Sequence, residues 1–171
     1  MCAYGYEERQ VTNNPPQPMP LGRDITAILA LNNANAVELS WLSAARLEAL
    51  LQVAFYARQI GEAEAFLLAF DQRARYESVN YLWFCQRYRQ FVYIDRVVVS
   101  ALMRGRGYAR ALYANLFACA RQRGYTLVVC EVNSNPPNPV SDAFHATMGF
   151  TEVGRAAVNA NKTVRYLARA L

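Results

Sequence analysis

Two periods organise the apolar positions of this chain. From Ser43, SAARLEALLQVAFYARQ sets Leu47, Leu50, Leu51 and Ala54 on one helical face, and from Tyr108, YARALYANLFACARQRG does the same with Ala109, Leu112, Tyr113, Leu116 and Ala120. Arg121 and Arg123 fall in the last turn of that second helix, where they complement its dipole, and Gly124 can supply a left-handed cap. Apolar runs of strand length predict strands at ITAILALNN after Asp24, at Ala63 to Phe70, at Phe91 to Val99 (FVYIDRVVV) and from Thr126 (TLVVCEVN). TEVGRAAV and KTVRYLARA predict two closing strands, and between them and the Thr126 strand Asn138–Pro139 reads as the N-cap and first turn of a short helix ended by Gly149. A strand ending at Val99, a crossover helix and a strand from Thr126 imply a right-handed parallel unit.

Composition narrows the class. Hydrophobic types make up 54% of the 171 residues and charged types 18%, so a folded globule rather than a disordered chain is expected. Residues 1–20, with Asn13, Asn14, Pro15, Pro16, Pro18 and Pro20, read as an extended tail, and 21–171 as a single domain. No run is long and apolar enough to span a bilayer and the first residues lack a signal-peptide pattern, which predicts a cytoplasmic protein without membrane contact. Cys2, Cys85, Cys119 and Cys130 are far apart and His145 is the only histidine, so reduced thiols and no metal are expected.

The formal charge of +5 is localised. From Arg96 to Cys130 there are six arginines and no acid, while the remainder carries 12 basic and 13 acidic residues. A second unusual stretch, Arg73 to Tyr93, interleaves Tyr76, Tyr81, Trp83, Phe84, Tyr88, Phe91 and Tyr93 with Arg73, Arg75, Arg87 and Arg89. Stacking of single-stranded bases is one reading of that pattern. A strand with one face inward, walling a substrate pocket or a homodimer contact, is the preferred one, and nucleic acid is disfavoured.

The Gly-rich loop before the Tyr108 helix is neither a P-loop nor a dinucleotide fingerprint, since G-x-x-x-x-G-K-[ST] and the third glycine of G-x-G-x-x-G are missing. Arg104-Gly105-Arg106-Gly107-Tyr108-Ala109 instead offers close backbone approach, free N–H groups and arginines to an anion such as a diphosphate. With R-x-x-G-x-A at Arg104, Gly107 and Ala109, and NPVSDAFHATMGF from Asn138 to Phe150, the chain resembles the GNAT superfamily of N-acetyltransferases. That resemblance implies an α/β (α+β) fold: a mixed central β-sheet of about six to seven strands, splayed between the two parallel strands that hold acetyl-CoA, with helices on both faces.

The resemblance also implies the roles. Acetyl-CoA is the expected cosubstrate, with its pantetheine arm on the backbone of Val97, Val98 and Val99 and its diphosphate on Arg104, Gly105, Arg106, Gly107, Tyr108, Ala109 and Arg110. A backbone N–H near Val98 or Val99 is expected to stabilise the oxyanion. Asn138 is expected near the pantetheine amides and Asn133 at the strand end beside them. An acceptor amine must lose a proton, for which Asp95 and Glu131 are the candidate bases. Asp95 is preferred, because period two places it on one face with Tyr93, Val97 and Val99; a buried ion pair with an arginine is the competing explanation. Where the superfamily places a tyrosine that protonates the leaving thiolate, this chain has His145, expected to act as acid or to bond the sulfur. Asn32, Asn33, Trp41, Trp83 and Phe84 are expected to shape an acceptor pocket of unidentified specificity. A CoA-binding module without chemistry and a ribosome- or RNA-associated protein are the alternatives to an enzyme that acetylates a primary amine.

Overall fold

The computed structural model describes residues 16–22 and 25–171. The Pro/Asn-rich stretch up to Pro15, Cys2 and Asp24 lie outside the described residues. Seven strands are formed by the described chain: β1 (Met19–Pro20), β2 (Tyr56–Ile60), β3 (Ala65–Asp71), β4 (Val92–Val99), β5 (Leu127–Asn135), β6 (Thr151–Asn159) and β7 (Lys162–Ala170). The helices are α1 (Thr26–Asn33), α2 (Ala36–Leu39), α3 (Ala44–Gln52), α4 (Val79–Cys85), α5 (Tyr108–Gln122) and α6 (Pro139–Thr147). All seven strands join one mixed sheet in the order β1-β2-β3-β4-β5-β7-β6.

Each face of the sheet carries its own core. Leu112, Tyr113, Leu116, Phe117 and Ala120 of α5, with Phe144 and Met148 at α6, pack on Val92, Ile94, Val128, Cys130 and Val132. Ile28 of α1, Leu47 and Leu50 of α3, and Tyr81 and Phe84 of α4 cover the opposite face against Tyr93, Val98, Val129, Val164 and Tyr166. Helix α5 ends as its sequence predicts, with Gly124 at φ 78°.

Three expectations about the elements before β3 change. ITAILALNN is helical rather than a strand: Ala27, Leu29, Ala30 and Leu31 are strong helix formers, and Ile28 and Asn32, four residues apart, point together into the core. The helix from Ser43 stops at Gln52, because Tyr56 begins β2, where its hydroxyl donates to Asn115 Oδ1 at 2.8 Å. Met19–Pro20, at the end of the stretch read as a tail, pairs with Arg58 and Gln59 as the edge strand.

Most of the aromatic and arginine-rich stretch is loop and a short helix, α4, and only Val92 and Tyr93 at its end enter a strand, β4. Tyr81, Phe84, Phe91 and Tyr93 are buried in the core, where no base can stack on them. Trp83 lies flat on Tyr166 of β7 with ring centroids 4.0 Å apart, and the Arg87 guanidinium covers its other face at 3.7 Å. Gly154 in β6 makes room for this stack, since a methyl group there would meet Trp83 Cζ2 at 2.6 Å.

A register shift in β4 resets the faces of that strand. Leu68 of β3 is opposite Arg96 and Ala69 is opposite Ile94, so Asp95 is an extra residue without a cross-strand partner. Beyond this bulge Val97 and Val99 turn to the α5 face, whereas Tyr93 and Val98 face α3 and α4. The expected common face of Asp95 with Val97 and Val99 is therefore wrong. Asp95 accepts from Arg96 Nε and from the Tyr76 hydroxyl, and Arg96 Nη1 donates to Asn32 Oδ1 at 2.8 Å. Both charged side chains are almost fully enclosed, at 4% and 5% exposure.

Two stability changes follow from these contacts. Gly154→Ala should lower unfolding free energy by about 1–3 kcal/mol in urea titration, because the bulky Trp83 ring must move out of its stack. Asp95→Asn should remove about 3–5 kcal/mol, since it leaves the Arg96 charge enclosed without its partner; an unchanged urea midpoint would show that the pair is dispensable.

Candidate active site

The parallel strands β4 and β5 pair only at Val92–Val128 and Tyr93–Val129, then diverge. Beyond Tyr93, one side of β4 remains bound to β3, and Ser100 N–H donates to Glu64 O at 2.8 Å. Alternation then turns Val98 toward β3 and the N–H and C=O groups of Val97 and Val99 into the gap. Of the two N–H groups expected to serve an oxyanion, that of Val99 faces the gap and that of Val98 faces β3.

A cleft of about 880 Å³ runs along this gap. Val97, Val98, Val99, Arg104, Gly105, Gly107, Tyr108, Ala109, Arg110, Asn133, Asn138, Asp95 and His145 all line it, while Arg106 does not. Gly105 at φ 75° and Gly107 at φ 79° put the chain into left-handed conformations that bring bare backbone to the start of α5. The first turn of α5 contains no acid and Gly107 provides no side-chain cap, so its leading N–H groups are free for an anion. Arg104, at this entrance, donates to Asn35 Oδ1 at 3.2 Å. Asn138 Oδ1 caps α6 by accepting from Ser141 N–H at 3.1 Å, and Asn138 N–H donates to Asn133 O at 3.3 Å, which joins the two predicted amide contacts. Unpaired strand backbone for an amide-bearing arm, and a glycine-built helix start with arginines for a diphosphate, fit acetyl-CoA.

The carboxylate facing the cleft with spare capacity is Glu131. Strand alternation sends it from β5 to the α4 side, between Tyr93 and its cross-strand partner Tyr166. Its Oε1 accepts from the Tyr93 hydroxyl at 3.0 Å and from Asn80 Nδ2 at 2.8 Å. Its Oε2 is enclosed and has no partner among the described residues. Burial, reinforced by the nearby Asp95 charge, pushes the Glu131 carboxyl up to about 7 against the opposing pull of those two donors. Asp95, by contrast, has both oxygens engaged.

His145 is enclosed, and both ring nitrogens are occupied. Nδ1 lies 2.7 Å from Ser141 O, a group that can only accept, so Nδ1 carries the proton. Burial holds the imidazole below its ordinary pKa, hence neutral near pH 7, and Nε2 accepts from the Tyr113 hydroxyl at 2.8 Å. In that state the one His145 ring proton is held by Ser141 O and Nε2 has none to give, whereas Tyr113, which also lines the cleft, carries a rotatable hydroxyl. Sequence reasoning missed Tyr113, Tyr93 and Asn80. Tyr113 reads as one more apolar position of α5, and the other two are tied to partners 38 and 51 residues away. Of the expected acceptor-pocket residues, Trp41 lines the cleft; Asn32 and Asn33 brace the segment from Ser40 to Leu42, and Trp83 and Phe84 pack away from it.

Several solved acetyltransferases share this fold. They include the NatC complex bound to Gag peptide and CoA (TM-score 0.67, 17% identity, 90% of this chain and 97% of that one). An N-acetyltransferase from Staphylococcus aureus Mu50 is similar (TM-score 0.64, 17% identity, 90% and 97%). So is the ribosomal-protein-alanine N-acetyltransferase from Brucella melitensis (TM-score 0.61, 20% identity, 86% and 94%). No curated protein sequence matches the chain significantly. Among the described residues no group of His, Cys, Asp and Glu could hold a metal ion, and no helix is long and apolar enough to cross a membrane. The acetyltransferase (GNAT) family profile matches residues 33–150, a span holding the β4–β5 gap, the arginine-flanked glycine loop and the Asn-led helix, and the chain belongs to that family.

Proposed function

We propose that the protein transfers the acetyl group of acetyl-CoA to a primary amine by direct attack, with Glu131 as the general base. The observation that carries this reading is that Glu131, which lines the cleft, keeps one oxygen without a partner on a carboxyl that burial pushes up to about 7. A base poised near neutrality accepts the ammonium proton most effectively at physiological pH. Val99 N–H supports the oxyanion, a contribution of about 3–4 kcal/mol per donor in comparable acyl-transfer sites. Acetyl-CoA supplies an activated thioester; the Tyr113 hydroxyl, whose single proton is donated to His145 Nε2, serves the departing sulfur by turning that proton away from the imidazole.

The lining charges bear on the acceptor. Glu38, Asp95 and Glu131 face Arg46, Arg96, Arg104, Arg110 and Lys162, so a polycation finds no acidic wall. An acceptor with a single amine suits the cleft better than a polyamine or an aminoglycoside.

The pH dependence has a definite sign. The base works only when ionised, so kcat/KM should fall as pH drops through about 7, and Glu131→Gln should lower kcat by roughly 10²–10⁴ in a thiol-release assay. A raised carboxyl favours the folded state while protonated, and that advantage is lost as pH climbs from the unfolded value near 4.5 through about 7. Glu131→Gln should therefore melt higher than the native protein at pH 8, which separates lost chemistry from lost folding. A saturating level of acetyl-CoA, about 100 times its dissociation constant, should add ~2.7 kcal/mol to stability in both proteins. Stabilisation by acetyl-CoA without thiol release across an amine panel would instead mark a binding module.

A further inference from the structure

We propose that Asn80 is a positioning residue, carried on α4, that fixes the Glu131 carboxylate by one oxygen so that Oε2 is the one left without a protein donor. The inference rests on the reading of Glu131 as the base. Asn80 Nδ2 donates to Glu131 Oε1, and the Tyr166 hydroxyl donates to Asn80 Oδ1 at 3.1 Å. Glu131 and Tyr166 are themselves cross-strand partners on β5 and β7. Three side chains from three elements therefore close a ring, and each determines the next. The ionised Glu131 Oε1 can only accept, so the amide nitrogen of Asn80 points to it and Oδ1 is left to accept from the Tyr166 hydroxyl, which settles the orientation of Asn80. Tyr93 supplies the second donor to the same Oε1. With two donors on one oxygen, the carboxylate cannot turn without breaking both bonds.

Helix α4 is held for this task from outside the cleft. Trp83, three residues beyond Asn80, is clamped between Tyr166 and Arg87 over the gap at Gly154, and Phe84 meets Tyr166 edge-on at 5.2 Å. The same tyrosine thus anchors the helix with its ring and orients Asn80 with its hydroxyl.

Other groups around Glu131 do not replace this donor. From β4 come the Tyr93 hydroxyl and the Asp95 carboxylate, the latter already paired with Arg96. Tyr76 acts from the β3–α4 connection, Tyr113 from α5, Tyr166 from β7 and the neighbouring Cys130 from β5 itself, all neutral at pH 7 because burial lifts them. What favours the ionised form of Glu131 is its hydrogen bonds, from Tyr93, Asn80 and its own backbone. Loss of Asn80 should therefore raise the Glu131 pKa further.

The test is a direct titration of the free enzyme by carbon-13 NMR of the glutamate side-chain carboxyls, with the Glu131 signal assigned through Glu131→Gln. Native Glu131 should titrate near 7, Asn80→Ala should move it upward by about one unit, and Tyr166→Phe should move it less in the same direction. Asn80→Asp keeps the shape and the Tyr166 bond while replacing the donor with a carboxylate, and should move it further than Asn80→Ala. A purely structural Asn80 would change the melting temperature and leave the titration in place; an unmoved Glu131 signal in both Asn80 variants overturns the proposal. If Glu131→Gln keeps native transfer rates, the base reading fails and this inference falls with it. If Glu131→Gln is inactive while the Asn80 variants titrate as the native protein does, the base stands and Asn80 loses its role.

Discussion

Everything functional in this fold depends on two parallel strands that stop pairing. After Val92–Val128 and Tyr93–Val129, β4 and β5 separate, and the inward backbone groups of Val97 and Val99 have no strand to bind. Buried backbone polar groups need partners, so a strand pair that opens at the centre of a sheet is costly unless something fills the gap. An extended ligand with its own amides does so. The cost of opening is offset on both faces by two apolar cores, one under α5 and α6 and one under α1, α3 and α4.

From that gap the chemistry separates by face. The α5 side holds the elements suited to an anion: positive-φ glycines, an acid-free first turn and arginines. The α4 side holds the residues to which we assign proton transfer, with Tyr93, Glu131 and Tyr166 on strands of one surface and Asn80 above them. A ligand lying in the gap would touch both. The bulge at Asp95 contributes by reversing strand alternation, which gives Val97 and Val99 to the α5 core and leaves Asp95 in its pair with Arg96.

Legibility in the sequence followed the range of the interactions involved. Helix α5, its Gly124 cap, the flanking strands and the Arg104–Ala109 loop are local patterns, and the structure forms each of them within a few residues of the expected limits. The apolar run from Ile25 predicts a strand by pattern, whereas its Ala and Leu content, together with a core position for Asn32, makes it a helix. Asp95 and Glu131 were both visible as acids in apolar strands. What separates them is invisible in one dimension: a single-residue bulge, the adjacent Arg96 turning back as partner, and donors to Glu131 from residues 80 and 93. His145 was found through its motif position, but its neutral state follows from the Ser141 carbonyl and its burial, which only the folded chain supplies.

The central claim is that the β4–β5 gap seats the thioester beside Glu131, and a crystal structure of the protein with CoA tests it most directly. The account predicts the diphosphate on the 104–110 loop, pantetheine amides bonded to Val97 and Val99, and the sulfur at the end of the cleft bordered by Glu131 and Tyr113. A pantetheine arm outside the gap, or a sulfur at the opposite end from Glu131, would contradict it.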